Sequence, residues 1–482
     1  MISFNRKIVQ LGFGAVGKSF FEKVFNEIKI DKNNYFVISR NKLEYRFFLE
    51  LGGMPKNFIV AEINEINYKE ILLKYLEDGD FLIDLADNLG TKDILELCIE
   101  KNIMYLNTGE ADWPEHWYSI FEEYEKKVNL SKNYNIKYPI VLQHGNNPGL
   151  VSHFTKLGLE YIVKKQFRFN KNLKKLLKEG RFNEISKILD LKQIHVNDND
   201  LQEIIDEFDE KKLYSTWCID SFFFEMLSEA TSNIGIHEKL DYEEKCNLVD
   251  KKNGFLEFKD IAFDKMCLTY YPNGKFNGYM VPHEETITIS KSLQLEENGK
   301  IIYRPTVIFI YSPCELSQEY LRKSRIKKDY NKTENIEKSN NEILVRGFRY
   351  PDKVEILYKE KIKNGTEYVG VLLLGGNFNP VWVGNRIEKS FLYKKDEDSY
   401  WQTPTITPVA MSALAAACWM IENQEKGGLY FPDDIKDYKK IIKFAEKFIS
   451  KTICKTFNKR KIEKELNINL EELQLNDIFT IN

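Results

Sequence analysis

Short apolar runs alternate with amphipathic stretches over the first 150 residues of the chain. Between the first two runs, Val16, Phe20 and Val24 recur at the spacing of one helical face. Further helices are predicted near 68–78 and 91–101. Six strands with helical crossovers predict a Rossmann-type, doubly wound parallel sheet. The predicted strands are 7–11, 35–38, 58–60, 80–86, 104–106 and 139–142.

The pattern changes after about residue 155. Long charged stretches predict helices at 171–190 and 199–211, followed by a strand at 213–217. Between 255 and 315 short β-rich runs, including 286–289, predict a largely antiparallel sheet.

Towards the C-terminus, three further features are predicted. The charged, Asn-rich stretch 322–341 lacks apolar periodicity and predicts a flexible surface excursion, after which strands resume at 369–374. Pro408 follows Thr407 in a capping arrangement, and alanines then crowd a helix that ends before Gly427-Gly428. Such small residues predict close backbone packing.

We therefore predict an α/β chain of three domains. Residues 1–150 form a dinucleotide-binding Rossmann domain, and 151–402 a second α+β domain for substrate binding and dimerisation. Residues 403–482 form C-terminal helices that pack back on the Rossmann domain.

A glycine-rich turn follows the first strand. Its residues are Gly12, Phe13, Gly14, Ala15, Val16 and Gly17. In a G-x-G-x-x-G turn, the glycines permit the backbone reversal, the approach of a pyrophosphate and close packing of helix on strand. The turn lies at a helix N-terminus, which favours negative charge. It therefore predicts a dinucleotide site, with a purely architectural turn as the alternative.

The second strand ends in Ser39-Arg40, where an acidic residue would bind the hydroxyls of the adenosine ribose. An arginine beside a hydroxyl group suits a ribose 2′-phosphate, although a solvated loop arginine is equally consistent with the sequence. The sequence itself therefore leans slightly towards NADP.

Charge and composition exclude several classes of partner. The formal net charge is −3, and no basic face interleaved with aromatic residues is found, which argues against nucleic acid. No apolar run approaches the ~18 residues of a membrane span, and no signal peptide is evident, so we expect a cytoplasmic protein without a membrane partner. The seven cysteines are scattered and no histidine pair has metal-ligand spacing, so no metal is expected.

Three carboxylates are candidates for binding an amine and transferring its protons: Glu238, Glu285 and Glu367. Each has a structural alternative as a surface or strand-edge carboxylate, and composition alone does not decide between the two.

One motif adds a resemblance. His144-Gly145 followed by residues 146–154 resembles the H-G-A-N-P-G-L-V-S-H-F signature of bacterial homospermidine synthases. The likeness continues in order, with near-constant spacing, through almost the whole chain. It includes Ile194-His195-Val196, Thr216-Trp217, His237-Glu238, the segments 283–287 and 303–307, Pro313-Cys314 and 370–373.

The resemblance implies a Rossmann domain related to saccharopine dehydrogenases, a second α/β domain, and a homodimer. It implies NAD as a recycling cofactor. One putrescine amine would be oxidised to an imine, a second putrescine would displace ammonia, and the returning hydride would give symmetric homospermidine.

The resemblance also assigns site residues. Asn147 would contact the substrate amine near the nicotinamide, and the ionic and proton-transfer shell would comprise Glu238, His283, Glu285 and Glu367. Further substrate contacts would come from Glu110, Trp217 and His237. Further cofactor contacts would come from Asp84, Asn107 and Pro148. Because Glu238 follows the histidine of the family's G-x-H-E context, we expect it to face the substrate channel.

Two departures from the family pattern bear on the substrate. Ile234 replaces the tryptophan of the family's G-W-G-T-H-E, and a loop that usually ends in Glu-Pro-Trp reads Ala111-Asp112-Trp113. Loss of an indole would remove a cation–π contact worth ~0.5–2 kcal/mol. The alternative functions are a net oxidoreductase of the carboxyspermidine or saccharopine type and a catalytically silent dinucleotide-binding sensor.

Overall fold

The computed structural model describes residues 1–480 except for 88, 114–118, 240–245, 251, 327–335, 340–341 and 396–400. Its first sheet has seven strands, all parallel. The six strands predicted from apolar runs are all present, because helices cover both faces of a parallel sheet. In spatial order the strands are Phe58–Val60, Tyr35–Ser39, Ile8–Leu11, Phe81–Asp84, Met104–Asn107, Pro139–Val141 and Gly428–Tyr430.

The seventh strand of this sheet, Gly428–Tyr430, comes from the C-terminal part of the chain and pairs with Pro139–Val141. It was not predicted, since three residues after two glycines carry no periodic signal. The helices around this sheet are Ala15–Glu27, Glu44–Glu50, Tyr68–Leu73, Thr91–Glu100, Ile120–Lys132, Leu150–Gln166 and Ile406–Glu422.

A second, ten-stranded sheet is antiparallel apart from one parallel pair, Leu191–Asp200 with Thr306–Ser312. This confirms the prediction of a second domain with a largely antiparallel sheet. The path of eight strands runs Cys246–Asp250, Phe255–Ile261, Glu229–Asn233, Thr306–Ser312, Leu191–Asp200, Thr366–Gly375, Val381–Glu388 and Ile453–Thr456. The hairpin Met266–Tyr271 and Gly274–Met280 joins it through Thr306–Ser312.

Short elements complete the chain. The helices of this half are Lys171–Glu179, Phe182–Ile188, Ile219–Leu227, Glu285–Ser292, Glu315–Ser324, Lys389–Lys395, Tyr438–Ala445 and Lys459–Leu466. Minor strand pairings involve Ile2–Ser3, Ile28–Lys29, Glu203–Ile204, Lys212–Ser215, Leu295–Glu297, Lys300–Tyr303, Ile336–Ser339, Glu342–Val345, Phe348–Arg349, Lys353–Ile356 and Ile362–Asn364.

Two predicted elements are wrong. The predicted helix at 199–211 is absent, because the strand Leu191–Asp200 continues into it and the apolar residues that follow, Leu201 and Ile205, are exposed. The predicted strand at 286–289 is part of the helix Glu285–Ser292. That helix packs between the second sheet and the helix Leu150–Gln166, so burial overrides the β-preference of its Thr and Ile residues.

Two other predictions hold only in part. The predicted helix 171–190 is two helices, separated at Gly180, which has a left-handed φ of 71°. Of the stretch 322–341, the helix Glu315–Ser324 and the strand Ile336–Ser339 are ordered elements, while 327–335 and 340–341 lie outside the described residues.

Two helices connect the halves of the chain. Leu150–Gln166 packs on the second sheet, where a side chain at Gly158 would meet Leu373 at 2.5 Å. The Ala-rich helix Ile406–Glu422 packs on the helix Ala15–Glu27, which covers the first sheet. Among the described residues, we find no helix long and apolar enough to cross a membrane.

Candidate active site

A cleft with a volume of about 350 Å³ is lined by residues from both sheets. Gly14, Asp84 and Asn107 line it from the carboxyl ends of parallel strands, where ligands bind in open α/β sheets. Asp198 and Glu367 line it from the second sheet. The cleft therefore places groups from both sheets around one space.

The glycine turn divides into structural and ligand-facing positions. A Cβ at Gly17 would lie 2.5 Å from the Gly12 carbonyl oxygen, and one at Gly12 would lie 2.6 Å from the Leu85 carbonyl oxygen, so both glycines permit close packing. At Gly14 no atom lies within 4 Å of the added Cβ, and this residue begins the helix without a side-chain cap. The open space and free N–H groups at this helix end fit a dinucleotide phosphate.

Only part of the predicted turn borders the cleft, namely Gly14, Ala15 and Val16. Phe13 instead points into the core, where its ring makes edge contacts with Phe21, Phe48 and Phe58 at 5.5–5.9 Å. Its predicted cofactor contact is therefore corrected to a packing role.

Ser39 and Arg40 lie outside the cleft lining. The Ser39 hydroxyl accepts a hydrogen bond from the Asn41 amide at 3.3 Å, and Arg40 is exposed. No acidic side chain ends this strand, as the sequence predicted.

The other predicted cofactor residues, Asp84, Asn107 and Pro148, all line the cleft. Burial raises the pKa of Asp84 to about 7. The hydrogen bonds that Asp84 accepts from the Ala86 backbone N–H and the Tyr105 hydroxyl lower this pKa, but by less than burial raises it. Asn107 Oδ1 accepts a hydrogen bond from the backbone N–H of Gln143 at 2.7 Å. This bond connects the loops that follow the strands Met104–Asn107 and Pro139–Val141.

The charge of the lining is strongly one-sided. Among the residues that the structure describes, the cleft is lined by no lysine or arginine, and His283 is its one histidine. Eight carboxylic acids line it: Asp84, Asp87, Glu110, Asp112, Asp198, Glu225, Glu284 and Glu367. Such a lining favours a cationic ligand.

His283 lies among three glutamates. Its Nδ1 contacts Glu285, and its Nε2 lies 3.4 Å from Glu225. Burial lowers the pKa of His283, but Glu285 and Glu225 together outweigh burial and hold the pKa well above its usual value. His283 is therefore charged at neutral pH, and Glu285, fully buried, supports it without bordering the cleft.

Ligand atoms of His283, Glu284 and Glu285 lie within 4.8 Å of one another, close enough to surround a cation. The absence of a metal stays a prediction from the sequence. Burial raises the pKa of Glu284 to about 7, and its Oε1 accepts a hydrogen bond from the Glu110 amide at 3.1 Å.

Glu110, predicted to bind substrate, borders the cleft but already has charged and polar partners. Its Oε2 lies 2.8 Å from the fully buried Lys127 ammonium, and its Oε1 accepts a hydrogen bond from Gln143. The ion pair neutralises much of its charge.

Asn147 contacts an acidic residue that the sequence analysis missed. Its Nδ2 donates to Asp198 Oδ2 at 3.0 Å. Asp198, Asp200 and Glu367 lie on one face of two adjacent strands, because Glu367 pairs across the sheet with Asp200. Burial, then the charge of Asp200, raises the pKa of Asp198 to about 8, and burial, then Asp198, raises the pKa of Glu367 well above its usual value.

Asp198 and Asp200 carried a usable signal, since alternate residues of Ile194–Asp200 are acidic at the end of a strand. Extending the predicted helix back to 199 concealed it. Glu225, on the helix Ile219–Leu227, and Tyr311, at the end of Thr306–Ser312, also line the cleft and were missed.

Trp217 supplies the aromatic wall. It lines the cleft, and its indole N–H donates to the Tyr311 hydroxyl at 3.1 Å. Ile234, the residue that replaces the family tryptophan, is buried in the hydrophobic core on the other side of the second sheet. Replacement of the family tryptophan by Ile234 therefore removes no side chain from the lining of the cleft.

The prediction that Glu238 faces the substrate channel is wrong. Its carboxylate accepts hydrogen bonds from the Thr306 hydroxyl at 2.5 Å and from the Leu475 amide at 2.8 Å. Gln193, which also donates to it, precedes Asp198 by five residues in one strand. At ~3.3 Å per residue, this places Glu238 roughly 16 Å from Asp198 along the strand and on the opposite face.

His237 lies beside Glu238, with its Nε2 3.5 Å from the carboxylate, and does not line the cleft either. Its carbonyl accepts a hydrogen bond from Gln474. The pair therefore fastens the C-terminal segment to the second sheet, which corrects the substrate-binding role predicted for His237.

Comparison with known proteins places these observations in context. Residues 8–135 match the family described as saccharopine dehydrogenase NADP binding domain. The homospermidine synthase of Mesorhizobium japonicum is 23% identical over 458 residues, covering 90% of this chain and 87% of that one. The homospermidine synthase of Blastochloris viridis is 23% identical over 464 residues, covering 92% and 90%.

The crystal structure of homospermidine synthase from Legionella pneumophila in complex with NAD superposes with a TM-score of 0.83. It is 22% identical and covers 100% of this chain and 99% of that chain. These similarities confirm the resemblance found in the motif at 144–154. The chain therefore has the fold of the Legionella homospermidine synthase over its whole length and resembles the bacterial homospermidine synthases in sequence over nine-tenths of it.

Proposed function

We propose that the chain is a homospermidine synthase, which converts two putrescine molecules to symmetric homospermidine and ammonia with NAD as a recycling cofactor. The observation that carries the proposal is the cleft with eight acidic side chains and, among its described lining residues, no lysine or arginine, next to an open glycine turn. A diammonium ligand is stabilised there, whereas an anionic substrate would be repelled.

The dinucleotide would be held with its phosphates at Gly14, Ala15 and Val16. Bound there, NAD supplies a hydride acceptor that later returns the hydride. Asn107 and Pro148 border the same end of the cleft, and Asn147 connects that end to Asp198. The residues on either side of the turn thus fit the group.

Each end of a diamine has a counterpart in the cleft. Asp198, with Glu367 behind it, can hold the ammonium beside Asn147. The face of Trp217 can stabilise a cationic amine or iminium by cation–π attraction, with its indole oriented by Tyr311.

Proton transfer has a separate group of residues. His283 is charged through Glu285 and Glu225, so it can donate a proton to the amino group of the addition product, whose carbon–nitrogen bond then breaks to release ammonia and leave the iminium of the second amine. Because no lysine is found among the described lining residues, the imine would be held by these ionic contacts rather than by a covalent bond to the chain.

The proposal extends to three features of the protein as a whole. The chain is a cytoplasmic homodimer. Its domains are 1–150 for the nucleotide, 151–402 for substrate and dimerisation, and 403–482 for C-terminal helices that pack back on the Rossmann domain, apart from the strand Ile453–Thr456, which joins the second sheet. The helix Ile406–Glu422 and the strand Gly428–Tyr430, which contact the first sheet, support the last boundary.

Incubation of the purified protein with putrescine and NAD tests the proposal. We expect homospermidine and ammonia in equal amounts, without net accumulation of NADH. Steady oxidation of NADPH in the presence of an amine and an aldehyde acid would instead identify a net oxidoreductase, which the absent acidic residue after Tyr35–Ser39 favours. Cofactor binding without turnover of any diamine would identify a sensor.

A further inference from the structure

Asp198 and Glu367 border the cleft as two buried carboxyl groups. Their relative exposures are 5% and 2%. Asp198 Oδ1 and Glu367 Oε2 each lack a hydrogen-bond partner, although both atoms are buried. A buried acceptor without a donor costs about 1–3 kcal/mol, so two such oxygens in one place require an explanation.

A hydrogen bond between the two carboxyl groups would give these oxygens a partner. Glu367 pairs with Asp200 across two adjacent strands, so its side chain lies diagonally next to that of Asp198 on the same face, and both border the cleft. Two ionised carboxylates are acceptors only, so they can bond to each other only when one of them carries a proton. Repulsion between two neighbouring buried carboxylates also disfavours the state in which both are ionised, as in other carboxyl pairs.

The third carboxylate of the face, Asp200, does not belong to the pair. Its oxygens accept hydrogen bonds from the Gln202 amide at 2.9 Å and from the Thr216 hydroxyl at 2.9 Å. Burial raises the pKa of Asp200 to about 6 although these hydrogen bonds lower it, so Asp200 is the ionised neighbour at pH 7 and its charge favours a proton on the other two. Glu225 adds negative charge from the facing helix, while His283 adds positive charge, and the neutral Tyr311 lies close to the pair.

We propose that Asp198 and Glu367 share one proton in the free enzyme and act together as the base for the substrate ammonium. The identification of that ammonium as one end of a diamine rests on the function proposed above. The shared proton itself follows from the geometry of the pair and does not depend on the substrate.

The proton balance is simple. When the ammonium enters, its charge displaces the shared proton to solvent, leaving two carboxylates against one cation. One carboxylate then takes a proton from the ammonium nitrogen, which leaves a neutral amine with a free lone pair and restores the singly protonated pair. The net change is one cation bound as a neutral amine and one proton released. Hydride loss requires this neutral amine, since the ammonium nitrogen has no lone pair to form an imine.

Infrared difference spectroscopy of the protein without substrate tests the shared proton directly. At pH 7 we expect the carbonyl stretch of a protonated carboxylic acid to weaken in Glu367→Gln and in Asp198→Asn, because either amide can donate to the remaining carboxylate and keep it ionised. The two variants guard against one that fails to fold. Glu70→Gln removes an exposed carboxylate outside the cleft lining and should leave this band unchanged. A band that persists undiminished in both variants overturns the proposal.

Calorimetry then tests the role as a base. The enzyme is loaded with NADH, so that putrescine binds without being oxidised, and the titration is repeated in buffers of different ionisation enthalpy. We expect wild-type protein to release about one proton more per putrescine than either variant, and Glu70→Gln to match the wild type. Equal proton release by all four proteins overturns the proposal even if wild-type enzyme forms homospermidine. A wild-type protein that keeps the carboxylic acid band but neither binds nor converts putrescine refutes the proposed function and leaves the shared proton established.

Discussion

His144 and His153, the first and tenth residues of the motif that resembles homospermidine synthases, contact each other through their Nε2 atoms at 3.0 Å. His144 Nδ1 also lies 3.1 Å from the Ser412 hydroxyl on the Ala-rich helix. Both rings are fully buried. The chain of contacts fixes both ends of the loop that carries Asn147, so these histidines position the site without touching a ligand.

Replacement of His153 should therefore destabilise the protein. His153→Leu leaves a buried nitrogen of His144 without a partner, which we expect to cost about 1–3 kcal/mol in the free energy of unfolding at pH 7.5. Chemical denaturation of both proteins measures the difference. A variant as stable as the wild type would show that the contact between the rings is dispensable.

The same variant gives a pH signature. Burial, followed by the charges of His144 and Lys156, lowers the pKa of His153 well below 6.5. Below pH 6.5 the unfolded chain therefore binds a proton that the folded chain does not, and wild-type stability is lost as the pH falls. The stability advantage of the wild type over His153→Leu should shrink by about 2 kcal/mol between pH 6.5 and pH 5. An advantage that stays constant or grows on acidification would contradict the assignment.

Gly14 and Gly17 should respond differently to the same substitution. Gly17→Ala places a methyl group against the Gly12 backbone and should lower the melting temperature by several degrees, as a loss of about 1–3 kcal/mol would. Gly14→Ala meets no protein atom, so its melting temperature should stay unchanged while its Kd for NAD rises several-fold. Differential scanning calorimetry and nucleotide titration separate the two effects, and unimpaired NAD binding by Gly14→Ala would place the phosphates elsewhere.

Trp217 and Ile234 provide a matched test of where the substrate meets an indole. Trp217→Leu should reduce kcat/KM for putrescine by about 3- to 30-fold, the equivalent of a cation–π contact of ~0.5–2 kcal/mol, and Trp217→Phe should lose less. Ile234→Trp introduces the residue common in the family but fills a packed core, so it should cost ~1–3 kcal/mol of stability without improving turnover. Improved putrescine turnover by Ile234→Trp would show that this position communicates with the cleft.

Glu238→Gln tests the corrected role of that residue. The amide cannot accept hydrogen bonds from both Thr306 and Leu475 at full strength, so we expect a loss of about 1–3 kcal/mol in stability. At a temperature where the variant is folded, its kcat/KM for putrescine should remain within a factor of two of the wild type. A loss of tenfold or more in kcat/KM with unchanged stability would restore the carboxylate to the substrate site.

The fold was more predictable than the site. The six strands of the first sheet were evident because a parallel sheet buried on both faces requires continuous apolar runs. The helix Glu285–Ser292 was not, because its Thr-Ile alternation has the period of a strand and only its enclosure between the second sheet and the helix Leu150–Gln166 makes it helical. Local pattern cannot report which elements will surround a segment.

Within the site, several residues assigned by the family resemblance do border the cleft. Asn147, His283 and Glu367 were predicted and do border the cleft. His237 and Glu238 belong to an equally distinct motif, but that motif holds the C-terminal segment in place. A short motif shows that side chains act together, and only the register of the strands shows whether they act on a ligand or on the chain itself.

The strand Gly428–Tyr430 joins the first sheet about 290 residues after its neighbour Pro139–Val141. During synthesis at ~5–20 residues per second, the nucleotide-binding half therefore waits at least some 15 seconds with that edge unpaired. An unpaired edge of a parallel sheet is a template for association between nascent chains. Expression of residues 1–150 alone should yield aggregated protein. Pairing of a strand from the last tenth of the chain therefore protects the first third of the chain from aggregation during synthesis.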